Sequence, residues 1–98
     1  MTSTKKPHER GVYAISVAAE LVGTGEQNLR AYERKGLLVP ARTEGGTRRY
    51  SEADLETLRR ITELLLMGLN LSGIQQVLAL EAENKSLRIE LSRRPPQA

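Results

Sequence analysis

The clearest helical pattern in the chain follows Ser51, and it constrains the fold more than any other feature. Ser51 precedes Asp54 by three residues, a spacing typical of the capping box at a helix N-terminus. Apolar residues then recur at steps of three and four, as on one face of a helix, and Gly68 marks the end. We therefore predict a helix that carries much of the core through Leu55, Leu58, Ile61, Leu65 and Leu69.

The composition leaves few other residues to build a core. The chain has 98 residues, enough for one domain, and contains no Phe and no Trp. Leu, Ile, Val, Ala and three Tyr must therefore fill the interior. A second subunit would cover the apolar surface that such a thin core leaves open, so we expect an oligomer.

Residue types that are absent or rare exclude several classes of function. Without cysteine, the sequence offers no disulfide, no thiolate metal cluster and no thiol catalysis, and a single histidine argues against a histidine metal site. No nucleophile with a nearby base and no phosphate-binding glycine loop is found, so neither an enzyme nor a bound cofactor is expected. Because no apolar run spans a bilayer and no signal-peptide pattern is present, we expect a cytoplasmic protein without a membrane partner.

Two short helices with a glycine between them are predicted upstream of the helix that follows Ser51. Ser16 is placed to cap a first helix through VAAELV, and Gly23 ends it. Thr24 and Gln27 have the spacing of a second capping box, after which EQNLRAYERK continues as a helix to Gly36. This pair has the shape of a helix-turn-helix, whose second helix enters the major groove of DNA. Plain packing of a helical hairpin explains the same pattern.

The segment before these helices, residues 1–12, is predicted to be a flexible N-terminal arm, because it is polar and shows no period. His8 lies in this arm and is expected to be exposed and inert. Tyr13 and Ile15 are predicted to form a short strand directly after it.

The second predicted helix has one apolar face and one polar, basic face. If Leu29 faces the core, helical geometry directs Tyr32 and Glu33 to the same side. The outer face then carries Gln27, Arg30, Ala31 and Arg34. An exposed charged face is usually solvated surface, so its assignment to DNA depends on the element that follows.

A short β-hairpin is predicted in the sequence LLVPARTEGGTRRYS. Gly45 and Gly46 suit its tip, because glycine readily adopts the positive φ of a tight turn. Arginine lies on both predicted strands, and a guanidinium can bind phosphate oxygens through two hydrogen bonds. We therefore predict a wing that contacts the DNA backbone. Only Glu33 and Glu44 oppose the basic residues of this region, which are Arg30, Arg34, Lys35, Arg42, Arg48 and Arg49.

The C-terminal segment has the pattern of a coiled coil. A fourth helix is predicted to begin at Asn70 or Ser72, either of which can cap it, and to end at residues 93–96. Only about two heptads fit, fewer than a secure assignment needs, so an ordinary amphipathic helix is the alternative. We predict a dimer seam with Asn84 at one of its positions. The seam consists of Val77, Leu80, Asn84, Leu87 and Leu91.

Three segments together resemble the DNA-binding region of the MerR family of bacterial transcription regulators: ISVAAELVGTGEQNLRAYERKGLL, the GGTRRYS wing and MGLNLSGIQQVL. Among its branches the heat-shock repressors are the most similar, through ISVAAEL, LRAYERKGL, RTEGGTRRYS and NLSGI. The resemblance implies a mainly α fold, a winged helix-turn-helix with a β-hairpin wing and a C-terminal helix that pairs in an antiparallel coiled-coil dimer on an inverted repeat. The expected division is an arm at 1–12, a DNA-binding domain at 13–79, a dimerisation helix at 80–94 and a tail at 95–98.

The resemblance also assigns roles to individual residues. The positions that contact DNA in the family, mostly at its backbone, are matched by Arg30, Tyr32, Arg48, Arg49 and Tyr50. Ala31 stands where many members carry an aromatic residue, which puts one usual contact in doubt. The full predicted DNA-binding set is Gln27, Asn28, Arg30, Tyr32, Arg34, Lys35, Arg42, Arg48, Arg49 and Tyr50.

The resemblance also indicates how the protein would be regulated. Metal sensors of the family bind ions through cysteines beside the coiled coil, and drug sensors add a large C-terminal domain. This sequence shows neither feature, so no small-molecule inducer is expected. The heat-shock repressor branch is regulated with a chaperone of the Hsp70 type, so the resemblance allows such a chaperone, or another protein co-regulator, as a partner besides DNA.

The function that these patterns predict is sequence-specific transcription regulation, as a repressor by resemblance. One alternative is an architectural or recombination accessory protein that uses the same fold to bend DNA. Another is a coiled-coil adaptor whose basic hairpin is merely solvated. Preference for one inverted repeat distinguishes the first two, and a steep salt dependence of DNA affinity excludes the third.

Overall fold

The fold is mainly helical with one small β-hairpin. The computed structural model describes residues 6–95, so the predictions for residues 1–5 of the arm and 96–98 of the tail lie outside it. A single 3₁₀ turn at Pro7–Glu9 comes first. The elements that follow are α1 (Ile15–Val22), α2 (Glu26–Arg34), β1 (Ala41–Arg42), β2 (Arg48–Arg49), α3 (Glu52–Leu66) and α4 (Leu71–Ser92).

The first helix ends as predicted but begins two residues earlier than predicted. α1 starts at Ile15, and its N-cap is Ala14, whose side chain makes no capping hydrogen bond. The prediction of Ser16 as the cap is therefore wrong. The carbonyl of Ala14 starts the helix by accepting from the Ala18 N–H at 2.9 Å. Gly23 terminates α1 in the left-handed conformation, with φ 75°.

The predicted capping box of the second helix is absent. The N-cap of α2 is Gly25, one residue after Thr24, and it makes no side-chain cap. The Thr24 hydroxyl instead accepts a hydrogen bond from the Asn28 side chain at 2.8 Å. Both predicted caps failed because a Ser or Thr caps a helix only where its own backbone is the last extended residue, and tertiary packing decides that position. α2 ends at Arg34, and Gly36 then has the positive φ that the turn requires, 75°.

The described part of the predicted arm contacts α3. The 3₁₀ turn lies against α3, and His8 Nε2 is 3.0 Å from Glu56 Oε1, so His8 is exposed but has a partner. The predicted strand at Tyr13 and Ile15 is reduced to one bridge. Tyr13 and Tyr50 exchange backbone hydrogen bonds at 2.9 and 2.7 Å, whereas Ile15 already belongs to α1.

The predicted hairpin is present as a two-stranded antiparallel sheet. Ala41 pairs with Arg49, and Arg42 pairs with Arg48. At the tip, Gly46 has φ 85°, the positive value predicted for this turn. The hairpin therefore brings arginines of both strands next to one another.

The third helix has the capping box that its sequence predicts. The Ser51 hydroxyl accepts from the Asp54 N–H at 3.0 Å, and the Asp54 carboxylate accepts from the Ser51 N–H at 2.9 Å. Leu69, predicted for this face, lies beyond the end of the helix and is only partly buried. On the helix the buried face differs from the prediction at one position, because Leu64 is buried and Leu65 is 37% exposed. Both lie three or four residues after Ile61, so the helical period permits either, and packing against the rest of the core selects Leu64.

The fourth helix is continuous through the predicted domain boundary at residue 79. Asn70 is its cap, since the side-chain oxygen accepts from the Gly73 N–H at 2.8 Å, which decides between Asn70 and Ser72. The first half of α4 packs on the core through Ile74, and the second half extends away from it. No helix within residues 6–95 is long and apolar enough to cross a membrane. The buried core consists of Ala18, Ala19, Leu29, Tyr32, Leu37, Leu38, Tyr50, Leu55, Leu58, Ile61, Leu64 and Ile74.

Candidate nucleic-acid interface

Helix α2 separates its apolar and polar faces as the sequence predicts. Leu29 is fully buried, and Tyr32 lies beside it in the core. On the outer side Gln27, Asn28 and Arg34 are exposed, while Arg30 is half-buried. Arg30 lies 3.8 Å from the Glu26 carboxylate one turn earlier, a weak surface pair that leaves the guanidinium accessible. This face is polar and basic, and it is the surface that a recognition helix would present to DNA.

One carboxylate of α2, that of Glu33, bonds to both strands of the wing. Glu33 Oε2 accepts from Arg42 Nη2 at 2.8 Å, and Glu33 Oε1 accepts from Arg48 Nε at 2.5 Å. The hydrogen bond from Arg48, followed by that from Arg42, holds the pKa of Glu33 below its ordinary value. The same bond raises the pKa of Arg48. Glu33 therefore holds both strands of the basic wing against α2.

Three predicted DNA-binding cations make no ion pair within residues 6–95. Arg34 and Lys35 lie at the C-terminal end of α2, where both are exposed. Arg49 is half-buried on β2, and its Nη1 donates only to the Arg48 carbonyl, at 3.3 Å. Cations without an internal partner contribute their full charge to the surface potential that attracts a polyanion.

The two predicted tyrosine contacts lie in the core. Tyr50 is fully buried, and its hydroxyl has no hydrogen-bond partner among the described residues. Burial raises the pKa of Tyr50 and of Tyr32 above the ordinary tyrosine value. Their roles in DNA contact stay predictions that rest on the family resemblance, since neither side chain offers appreciable surface in this conformation.

The predicted dimer seam is mostly exposed along the second half of α4. Leu80 is 63% exposed, and Leu87, Leu91 and Asn84 are exposed as well. Val77 differs from these residues, because it is half-buried against the protein's own core. Apolar side chains repeated along a helix that nothing else covers form a surface suited to a second helix.

Sequence reasoning missed two ion-pair clusters that position these elements. Glu33 was placed on the inner side of α2, but its role in holding the wing was not recognised. The second cluster joins α3 to α4, where Arg60 Nη2 lies 2.8 Å from Glu81 Oε2 and Arg60 Nη1 lies 2.9 Å from Glu63 Oε2. Neither cluster has a sequence signal, because the partners of the long-range pairs are brought together by the fold.

Curated relatives of the chain include a protein named as a transcriptional regulator. Over 78 residues it is 47% identical to the putative heat shock protein HspR of Streptomyces coelicolor, a match that covers 79% of this chain and 52% of that protein. Over 80 residues it is 34% identical to the HTH-type transcriptional regulator GlnR of Bacillus anthracis, covering 82% of this chain and 61% of GlnR. The chain therefore spans less than two thirds of the length of either relative.

Solved structures share the architecture described above. HiNmlR, a MerR family regulator lacking the sensor domain and bound to promoter DNA, has a TM-score of 0.68 at 30% identity, over 82% of this chain and 62% of that chain. The N-terminal part of MtaN, the multidrug transporter activator of Bacillus subtilis, has a TM-score of 0.65 at 32% identity, over 84% of this chain and 87% of that chain. These structures confirm the predicted fold class.

The family model provides the assignment. The model of MerR helix-turn-helix regulatory proteins matches residues 13–81, which include α1, α2, the wing, α3 and the first half of α4. The match confirms the resemblance that the sequence motifs indicated. The chain belongs to the MerR family of helix-turn-helix regulatory proteins.

Proposed function

We propose that this protein is a sequence-specific DNA-binding transcription regulator that acts as a homodimer on an inverted repeat. The observation that carries the proposal is the polar, basic outer face of α2 together with the arginine-bearing wing, whose two strands bond to Glu33 of the same helix. On such a surface the helix reads base edges in the major groove, and the wing cations hold the phosphate backbone. Membership of a family of transcription regulators supports this assignment.

The proposed dimer follows from the exposed seam of α4. A helix-turn-helix monomer contacts one half-site, whereas a two-fold dimer contacts both halves of a palindrome. The second contact is then effectively intramolecular, which raises the overall affinity without any new type of contact. Leu80, Leu87 and Leu91 supply the apolar surface for this pairing. Asn84 at the seam would favour the register in which its amide finds a partner.

The proposed sign of regulation is repression, in the cytoplasm. It rests on the similarity to a relative named as a putative heat shock protein and on the motifs shared with the heat-shock repressor branch. A chaperone of the Hsp70 type is the co-regulator that this similarity supports. Comparison of transcript levels in cells with and without the gene tests the sign, because loss of a repressor raises transcription from its own operator.

Selection of DNA from a random pool by the purified protein tests the central proposal. We expect one inverted repeat to be enriched, with an affinity that falls as salt rises by a log–log slope of about 0.9 per phosphate neutralised. Enrichment of many weakly related sites would instead support the architectural or recombination accessory function. If the protein shows no salt-dependent affinity for any duplex, both DNA-binding functions are contradicted and the coiled-coil adaptor is the function that remains.

A further inference from the structure

Within residues 6–95, Glu33 is the only acidic residue whose side chain bonds to both strands of the wing. Its side chain is 20% exposed, so the pair is less screened by water than an ordinary surface ion pair. The two carboxylate oxygens are divided between the strands, one for Arg42 of β1 and one for Arg48 of β2. Glu33 therefore connects α2 rigidly to both strands of the wing.

The two arginines that bond to Glu33 differ in which of their N–H donors remain without a partner. A guanidinium carries five N–H donors in a fixed plane. Arg42 uses Nη2 for Glu33 and Nη1 for the Gly46 carbonyl, at 2.8 Å each, so both of its terminal nitrogens are engaged. Arg48 uses only Nε for Glu33, and its Nη1 and Nη2 make no hydrogen bond within residues 6–95. Glu33 therefore fixes the Arg48 plane while leaving its outer edge available.

We propose that Glu33 is a positioning residue for DNA recognition that presents the terminal nitrogens of Arg48 to phosphate, while those of Arg42 stay engaged in hydrogen bonds with Glu33 and Gly46. The inference rests on the proposed DNA-binding function and assigns opposite roles to two wing arginines that the sequence could not distinguish. A presented guanidinium edge matches the bidentate geometry of phosphate. An arginine whose terminal nitrogens are already bonded within the protein offers fewer donors to phosphate, and sequence-independent affinity depends on the number of phosphates that cations neutralise. Glu33 thereby favours the selected site over unrelated DNA.

The salt dependence of DNA affinity separates the two roles. We expect Arg48→Ala to lower the log–log slope by about 0.9, the value for one phosphate, and Arg42→Ala to leave the slope unchanged. Arg48→Lys tests the positioning itself, because lysine keeps the charge but lacks the planar fork that Glu33 orients. It should retain the parental slope and lose affinity for the selected site. Equal losses of slope in Arg42→Ala and Arg48→Ala would overturn the proposal.

Glu33→Gln tests the same inference from the other side, with Glu44→Gln as the matched control. Glu44 is exposed near the hairpin tip and makes no ion pair within residues 6–95, so both variants remove one negative charge from the region. Glu33→Gln should bind unrelated duplex more tightly, with a slope steeper by about 0.9 as Arg42 is released. Its preference for the selected site should fall about tenfold below that of Glu44→Gln. Identical behaviour of the two variants would overturn the proposal.

A measurement without DNA keeps this inference separate from the proposed function. Hydrogen exchange of the Thr43 N–H, which donates to the Thr47 carbonyl at 2.8 Å, reports how firmly the wing is held. The exchange should be faster in Glu33→Gln than in Glu44→Gln if Glu33 holds the wing. A parent that binds no duplex would refute the proposed function and the phosphate roles, while unchanged exchange would refute the positioning role of Glu33.

Discussion

Replacement of Tyr50 by Phe should stabilise the protein, although tyrosine is the larger and more polar residue. Tyr50 is fully buried, and its hydroxyl has no hydrogen-bond partner among the described residues. A buried polar group without a partner costs about 1–3 kcal/mol, because it loses its hydrogen bonds to water and gains none. Phe keeps the ring that fills the core and removes the hydroxyl. We therefore expect the free energy of unfolding to rise by about 1–3 kcal/mol.

The matched control for this prediction is Tyr32→Phe. Tyr32 is also buried in the core, but its hydroxyl is not among the buried side-chain atoms that lack a hydrogen-bond partner within residues 6–95. Removal of that hydroxyl relieves no unpaired buried group, so stability should not rise. Of the two tyrosine variants, only Tyr50→Phe should thus raise the free energy of unfolding.

Urea and thermal unfolding followed by circular dichroism measure both variants. In a domain of this size, each kcal/mol moves Tm by about 4–8 °C, which is easily resolved. The protomer concentration must be equal in all samples, because an oligomer's apparent stability depends on it. A Tyr50→Phe variant less stable than the parent would refute the reasoning and show that the hydroxyl has a partner. Loss of DNA affinity in a stabilised variant would assign the hydroxyl to the DNA interface.

Three other perturbations test the core, the wing connection and the seam. Leu58→Ala, at a fully buried position, should lower the free energy of unfolding by about 2–5 kcal/mol in urea titrations, whereas Leu66→Ala, 84% exposed on the same helix, should change it by less than about 0.5 kcal/mol. Because the bond from Arg48 lowers the pKa of Glu33, the stability it contributes is present above the carboxyl pKa of the unfolded chain and is lost as the pH falls through the lower folded pKa. The urea midpoint should therefore fall less on acidification in Glu33→Gln than in the parent, and equal falls would contradict this contribution. Leu87→Glu should make the protein monomeric in light scattering without unfolding it, since the side chain is exposed in the single chain; a parent-like dimer would contradict the seam.

Local features of the fold could be predicted from the sequence, because neighbours along the chain decide them. The capping box of Ser51 and Asp54 forms within one helical turn. The positive φ angles of Gly23 and Gly46 are needed by turns whose residues are adjacent in sequence. The apolar period of α3 identified its buried face, and the shared motifs identified the family.

Tertiary structure decided the features that local patterns leave degenerate. Leu64 and Leu65 satisfy the helical period equally well, and only packing against the rest of the core distinguishes them. The positions at which α1 and α2 begin, directly after Ala14 and Gly25, likewise depended on packing and not on the nearby hydroxyl groups.

The candidate interface shows the same division between local and tertiary control. Its basic residues are evident from composition, since they lie within one stretch of the chain. Their arrangement is not evident, because Glu33 and Arg48 are separated by 15 residues and meet only when the wing folds against α2. Sequence therefore determined which charges this surface carries. The tertiary contact at Glu33 decided how the wing arginines are bonded, because ion pairing depends on distance in space and not along the chain.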